Sequence, residues 1–247
     1  MSDLTTVAGW LSDADTIVTF SGAGLSKASG IPTYRDAGGL WTQGGNLKFS
    51  SAEALAADPE GFRAFWARRC ADMDQAEPNA AHRAFAELER RRPDVQHITQ
   101  NVDGLLGRAG CAVVHELHGS LARWRCDACG RRELAPQAPC PSCGAATRPD
   151  VVMFGEMLPE ATFAAAELAA KRSRVCLVVG TTGIVYPAAG LVAKAQSRGS
   201  RIVVINVEPS DLDANADAVL CGPAERIVPE LVAAVPPLSA AVTSRRP

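Results

Sequence analysis

The chain has 247 residues, of which 47% are hydrophobic and 21% are charged, and its formal net charge is −2. Such a composition is typical of a soluble protein with a sizeable core, and the balanced charge argues against a strong general affinity for nucleic acid. The sequence contains no run of about 18 apolar residues and no basic segment ahead of an apolar one at its N-terminus. We therefore expect a cytoplasmic, monomeric protein without a membrane span.

Short apolar runs rich in β-branched residues alternate with helical stretches along most of the chain. Strands are predicted at residues 16–20, 95–99, 112–114, 175–179 and 202–205, and helices at residues 79–91, 160–172, 187–198 and 223–235. Continuous apolar strands separated by helices are typical of a parallel sheet that is covered on both faces. The predicted fold class is α/β, with a Rossmann-like parallel sheet and helices on both faces.

Every one of these strands leads into polar or glycine-rich residues. The glycine turn Gly22-Ala23-Gly24 follows the first strand and suits a phosphate group, because glycines let backbone N–H groups approach it closely. Lys27 occupies the place of the third glycine in the dinucleotide fingerprint, so the pattern of hydride-transfer enzymes is not met. Ligands of such sheets bind beyond the carboxyl ends of the strands, where these residues should meet.

Four cysteines form two Cys-x-x-Cys pairs, each followed by a glycine. They are Cys126, Cys129, Cys140 and Cys143. Four thiolates at this spacing predict one tetrahedral Zn²⁺ in a small zinc ribbon, and two disulfides are the alternative. Because four sulfur ligands leave no position for water, the zinc is expected to be structural.

Taken together, several motifs resemble those of the sirtuin family and occur in the family's order. The motifs are residues 22–35, 99–103, 117–119, the two cysteine pairs, 152–156 and 180–182. The resemblance implies an NAD-dependent protein lysine deacylase, most simply a deacetylase, that acts on acyl-lysine proteins or peptides. It also implies a discontinuous Rossmann-like domain (1–36, 78–122 and 149–247) and a small domain formed by a helical insertion (37–77) and the zinc ribbon (123–148).

The resemblance also implies roles for individual residues. His118 would be the general base, and Asn101 and Asp103 would orient the nicotinamide half of NAD; an imidazole suits a base because its ordinary pKa is near working pH. The other residues expected to contact NAD are Gly22, Ala23, Gly24, Tyr34, Arg35, Gln100, Gly180, Thr181, Thr182, Asn206, Glu208 and Cys221. Val152, Phe154, Gly155 and Glu156 would form the edge on which an extended substrate adds as a strand.

The acyl group that this chain prefers is judged from one helical position. Sirtuins specific for succinyl and malonyl groups carry a Tyr-x-x-Arg pair there. Here Trp66 replaces the tyrosine and Arg69 matches the arginine, while a slip of one residue would pair Phe65 with Arg68. Our hypothesis is a deacetylase with residual activity on acidic acyl groups through Arg69.

Three alternative functions stay open. They are a desuccinylase or demalonylase, a protein ADP-ribosyltransferase, and an NAD-binding regulator without turnover. A zinc-ribbon module for nucleic acid is disfavoured, because no basic and aromatic face is evident in the sequence.

Overall fold

The computed structural model describes residues 4–33, 47–92, 94–133, 139–183 and 186–236. Its strands are β1 (Ile17–Ser21), β2 (Val95–Thr99), β3 (Val114–Glu116), β4 (Gly119–Cys126), β5 (Arg132–Glu133), β6 (Thr147–Val151), β7 (Val175–Val179), β8 (Arg201–Asn206) and β9 (Ala218–Cys221). Its α-helices are α1 (Leu4–Asp13), α2 (Ala52–Ala57), α3 (Pro59–Asp74), α4 (Ala80–Arg91), α5 (Leu105–Arg108), α6 (Glu160–Arg172), α7 (Gly190–Ser197) and α8 (Ala224–Ala234).

Six strands form one sheet in the order β3-β2-β1-β7-β8-β9, and all of its pairings are parallel. The five predicted strands are therefore confirmed. The short β9 was missed, since a run of four residues without alternation gives little signal. Strand β3 begins two residues later than predicted, because the Ala112 and Val113 N–H groups donate to the Glu89 carboxylate instead of a strand.

Successive side chains of the strands point to opposite faces of the sheet, and each face is covered by helices. On one face Ile17, Val95 and Val175 pack against helices α1, α4 and α8. On the other face Val18 and Ile98 pack against α6 and α7. Since both faces are covered, the central strands are buried, and the α/β prediction with helices on both faces is confirmed.

A second, antiparallel sheet has the order β5-β4-β6 and carries the cysteine pairs at its end. Its own core contains Trp124, Val151 and Met153, and Phe62 of α3 packs into the same cluster. The zinc ribbon and the helical insertion thus share a core, while the proposed domain boundaries stay a prediction. No helix within the described ranges is long and apolar enough to cross a bilayer.

Candidate functional site

The glycine turn after β1 packs directly on the loop after β7. Residues 23–29 form a 3₁₀ helix, and the Gly24 N–H donates to the Gly180 carbonyl at 2.9 Å. A Cβ atom on Gly24 would lie 2.7 Å from Gly180 Cα, closer than real contacts allow. The two glycines therefore bring the ends of neighbouring strands into backbone contact, which a side chain at either position would prevent.

His118 lies between β3 and β4, beside the loop that follows β2. Its Nδ1 is 2.8 Å from the Gln100 carbonyl oxygen. A carbonyl oxygen only accepts hydrogen bonds, so Nδ1 carries the proton and the lone pair of the neutral ring is on Nε2. Burial lowers the pKa of His118 below its ordinary value, and the bond to Gln100 opposes this in part. The ring is thus held as a neutral base near neutral pH.

Asn101 and Asp103 are both fixed by Ser26 of the 3₁₀ helix. The Asn101 amide donates to the Gly22 carbonyl at 3.0 Å and to Ser26 Oγ at 3.1 Å. The Ser26 hydroxyl donates to Asp103 Oδ2 at 2.7 Å, and the Leu105 N–H donates to Oδ1 at 2.9 Å. Burial raises the pKa of Asp103, while these two hydrogen bonds favour the carboxylate and oppose the rise. A carboxamide and a carboxylate are therefore held in fixed positions in the loop after β2, the loop whose Gln100 carbonyl binds His118.

Behind Ser26 lies His82, which is only 1% exposed. Its Nδ1 accepts the Asn79 N–H at 3.3 Å, so the proton of the neutral ring is on Nε2, 3.4 Å from Ser26 Oγ. Burial lowers the pKa of His82 to about 4. Sequence reasoning missed Ser26 and His82 as part of the site, because only the fold brings them behind Asp103. The order of donation runs from His82 through Ser26 to the Asp103 carboxylate.

Polar side chains that were expected to contact NAD connect the ends of β2, β7 and β8. Gln100 Nε2 donates to Thr181 Oγ1 at 3.1 Å. Asn206 accepts the Thr181 N–H at 3.1 Å and donates to the Thr181 carbonyl at 2.9 Å. Thr182 and Glu208 are exposed beside this chain of contacts. These residues form one continuous polar edge along the strand ends, as predicted for a ligand crevice.

Cys221 pairs with Asn206 at the end of β9 and is exposed, with its thiol 3.5 Å from the Val207 carbonyl. Tyr34 and Arg35, which were expected over the cofactor, lie outside the described residues. The remaining residues fit a dinucleotide: glycines at the first strand end suit a pyrophosphate, and fixed amide, hydroxyl and carboxylate groups suit ribose and carboxamide.

The four predicted zinc ligands lie together. Cys126 Sγ is 3.5 Å from Cys143 Sγ, Cys129 Sγ is 3.7 Å from Cys140 Sγ, and all four sulfurs lie within 4.8 Å of one another. A tetrahedral site with Zn–S bonds of about 2.3 Å requires about 3.8 Å between sulfurs. The cysteines are free thiols, so the disulfide alternative is wrong. The set fits one structural zinc.

The predicted peptide edge is bonded to both His118 and the helical insertion. The Val152 N–H donates to the His118 carbonyl at 3.0 Å, and the Phe154 N–H donates to the Ser50 carbonyl at 2.9 Å. The Phe154 side chain is 58% exposed. An exposed aromatic ring three residues after the end of β6 suits contact with an extended peptide.

Glu156 turns its carboxylate inward from this edge. It accepts the Met153 N–H at 2.9 Å and pairs with Arg148, which is buried. Arg148 also donates to Asp127, within the first cysteine pair, at 2.7 Å. One guanidinium therefore connects the zinc ribbon to the peptide edge, and Glu156 supports that edge from within. Gly155, between Phe154 and Glu156, has a φ of 87°.

The helix α3 carries the residues considered for acyl preference. Trp66 Nε1 donates to the Phe49 carbonyl at 2.8 Å. The Arg69 guanidinium lies 5.7 Å from the centre of the Phe65 ring. An indole has one N–H donor, and here a backbone carbonyl already uses it.

Comparisons with known proteins agree with this geometry. The model of the Sir2 family matches residues 22–187. An NAD-dependent protein deacylase of Thermus thermophilus is 46% identical, over 82% of this chain and 83% of its own length. A protein of the same name from Ralstonia nicotianae is 44% identical, over 91% of this chain and 94% of its own length.

Solved structures show the same likeness. A Sir2 homologue in complex with NAD has a TM-score of 0.86 and 39% identity, and the match covers 93% of each chain. A mutant Sir2 homologue in complex with 2′-O-acetyl ADP ribose has the same TM-score and identity, covering 95% of this chain and 96% of that chain.

Proposed function

The chain belongs to the Sir2 family and is an NAD-dependent deacylase, and we propose that it removes acetyl groups from protein lysines, releases nicotinamide and transfers the acyl group to ADP-ribose. The observation that carries the proposal is the fixed tautomer of His118, which leaves Nε2 basic and whose Nδ1 is bonded to Gln100, the residue that precedes Asn101. Relatives named NAD-dependent protein deacylase, and the homologue complex with acetyl ADP-ribose, support the same reaction.

NAD, when bound, supplies a ribose carbon that becomes electrophilic as nicotinamide leaves. The chain's own residues position the NAD sugar and take a proton from one of its hydroxyl groups. His118 Nε2 is the group that accepts a proton from a ribose hydroxyl, because Nδ1 is committed to Gln100. Asn101 and Asp103 are held by Ser26 and so orient the sugar and the carboxamide without reorganising. We assign the glycine turn to the phosphates, and Thr181 and Asn206 to the adenosine half.

Preference for a neutral acyl group follows from the contacts on α3. A succinyl or malonyl carboxylate needs donors that point into the acyl site. The Trp66 N–H is already bonded to Phe49, and the Arg69 guanidinium lies beside the Phe65 ring. We therefore propose acetyl-lysine as the main substrate, with any activity on acidic acyl groups depending on Arg69.

The test of the reaction is mass spectrometry of the products formed from NAD and a panel of acyl-lysine peptides. We expect nicotinamide, O-acetyl-ADP-ribose and deacetylated peptide in equal amounts, formed only when acyl-peptide is present. His118→Ala should abolish turnover, whereas His115→Ala, which removes an imidazole bonded to Gln96 instead, should retain it. ADP-ribose attached to protein, without deacylated peptide, would favour the transferase alternative.

The test of acyl preference compares kcat/KM for acetyl-lysine and succinyl-lysine peptides. Wild type should prefer the acetyl peptide by at least tenfold, and Arg69→Met should lower only the activity on succinyl-lysine. Arg68→Met is the matched control, since Arg68 is exposed on the same helix. An equal effect of both variants would place Arg69 outside the acyl site.

Location in the cytoplasm, a monomeric state and the lack of nucleic-acid binding stay predictions from composition and charge. Size-exclusion chromatography with light scattering would test the monomer. Binding to duplex DNA at low salt would contradict the predicted lack of nucleic-acid binding.

A further inference from the structure

A second group of metal-ligating side chains lies apart from the cysteine pairs and from the polar edge. It consists of Glu89 on α4, His97 on β2 and Cys111 in the loop after α5. One carboxylate oxygen, one imidazole nitrogen and one sulfur lie within 4.8 Å of one another. Three separate elements therefore converge on one point beneath helix α4.

His97 is fully buried, and its two ring nitrogens differ in their surroundings. Nδ1 is 2.8 Å from the Thr19 hydroxyl, which fixes the orientation of the ring. Nε2 points at the cluster, where Glu89 Oε2 lies at ion-pair distance, 3.3 Å, and no residue that the structure describes gives it a bond of good hydrogen-bond geometry. A buried ring nitrogen without a hydrogen bond is costly unless another ligand satisfies it.

The separation of His97 Nε2 and Glu89 Oε2 suits two ligands of one transition metal ion. Tetrahedral zinc with nitrogen at about 2.0 Å and oxygen at about 2.1 Å places those two ligand atoms about 3.4 Å apart. The observed separation of Nε2 and Oε2 is 3.3 Å. A histidine that ligates zinc is ordinarily oriented by a hydrogen bond at its other nitrogen, the place that Thr19 takes here.

Charge is balanced as well. A divalent cation would neutralise the Glu89 carboxylate and a Cys111 thiolate, leaving a buried site without net charge. The carboxylate is held in place by the N–H groups of Ala112 and Val113, at 3.0 and 3.2 Å. It is therefore preorganised and does not have to be ordered on binding.

We propose that Glu89, His97 and Cys111 form a second metal site for Zn²⁺ or a similar borderline cation, with water as the fourth ligand. Three protein ligands of mixed type leave one position open, unlike the closed four-cysteine site. The site is distinct from the residues assigned to NAD and to the peptide, so it stands independently of the proposed function.

The experiment counts metal in the zinc-loaded protein. Protein is dialysed against a series of chelator-buffered Zn²⁺ concentrations, and zinc per chain is measured by atomic emission. Wild type should bind two ions per chain at saturation. Cys111→Ala and Glu89→Gln should bind one, with unchanged circular dichroism. Cys176→Ala is the matched control, because it removes another buried cysteine and should keep both ions.

A second measurement uses Co²⁺ added to protein that has been dialysed to one zinc per chain, so that the four-cysteine site is filled and the second site is empty. Wild type and Cys176→Ala should show thiolate-to-cobalt absorption from one sulfur, and Cys111→Ala should lose it, even if Glu89→Gln does not fold. One zinc per chain in wild type would overturn the proposal. Two ions in every variant would also overturn it, since the second ion would then lie elsewhere.

Discussion

The buried His82 makes the stability of the fold depend on pH in a predictable way. In the folded protein its pKa is lowered to about 4, because burial disfavours the charged ring. In the unfolded chain the imidazole takes up a proton as the pH falls through about 6.5. The stability associated with the neutral ring is thus present above pH 6.5 and lost as the pH falls toward 4.

The size of the effect follows from these two values. The full difference corresponds to about 3 kcal/mol, and the part lost between pH 8 and pH 5 is about 2 kcal/mol. His82→Gln removes the titrating group. A glutamine at this third position of α4 can still accept the Asn79 N–H, as in a capping box, so the start of the helix is kept.

Urea unfolding, followed by circular dichroism at pH 8, 7, 6 and 5, measures the free energy of unfolding of both proteins. Wild type should lose about 2 kcal/mol more than His82→Gln over this range. All groups common to the two proteins cancel in the comparison. Equal pH dependence of the two proteins would refute the reasoning, because the neutral buried ring would then not be the origin of the acid sensitivity.

Two further predictions concern the base and the peptide edge. The acid limb of kcat/KM for the deacylation should lie below pH 6.5, because burial lowers the pKa of His118 and the neutral ring is the active form; a limb above pH 7 would contradict this assignment. Arg148→Met should lower the free energy of unfolding by about 2 kcal/mol in urea titrations, because it removes the buried guanidinium that pairs with Glu156 and Asp127, and among the described residues these keep only Arg125 as an ion-pair partner. Arg132→Met, which removes an arginine that is 58% exposed, should cost less than half as much, and an equal loss would mean that burial does not matter here.

Much of the architecture could be read from the chain because its strands are buried on both faces. Runs such as residues 175–179 are apolar throughout, and the helix at residues 160–172 was predicted with the bounds that α6 has. The cysteine spacing predicted a zinc site, and the four sulfurs do converge. These signals are local, since each lies within a few residues of sequence.

Contacts between distant segments could not be predicted in this way. Nothing in the sequence indicates that Ser26 lies between Asn101 and Asp103, or that His82 lies behind it. The contact of Glu156 with the buried Arg148 could not be predicted either, because an acidic residue in a loop is ordinarily exposed.

The sequence by itself determined the elements, the parallel α/β class, the zinc ligands and the family, because periodicity and motif spacing are properties of the chain. Only the tertiary structure decided which nitrogen of His118 is basic, since the Gln100 carbonyl that fixes it reaches the ring only through the pairing of β2 with β3. Likewise only the fold gathered Glu89, His97 and Cys111 from three elements. Burial and hydrogen-bond partners depend on packing between distant segments, and therefore they appear only in the folded molecule.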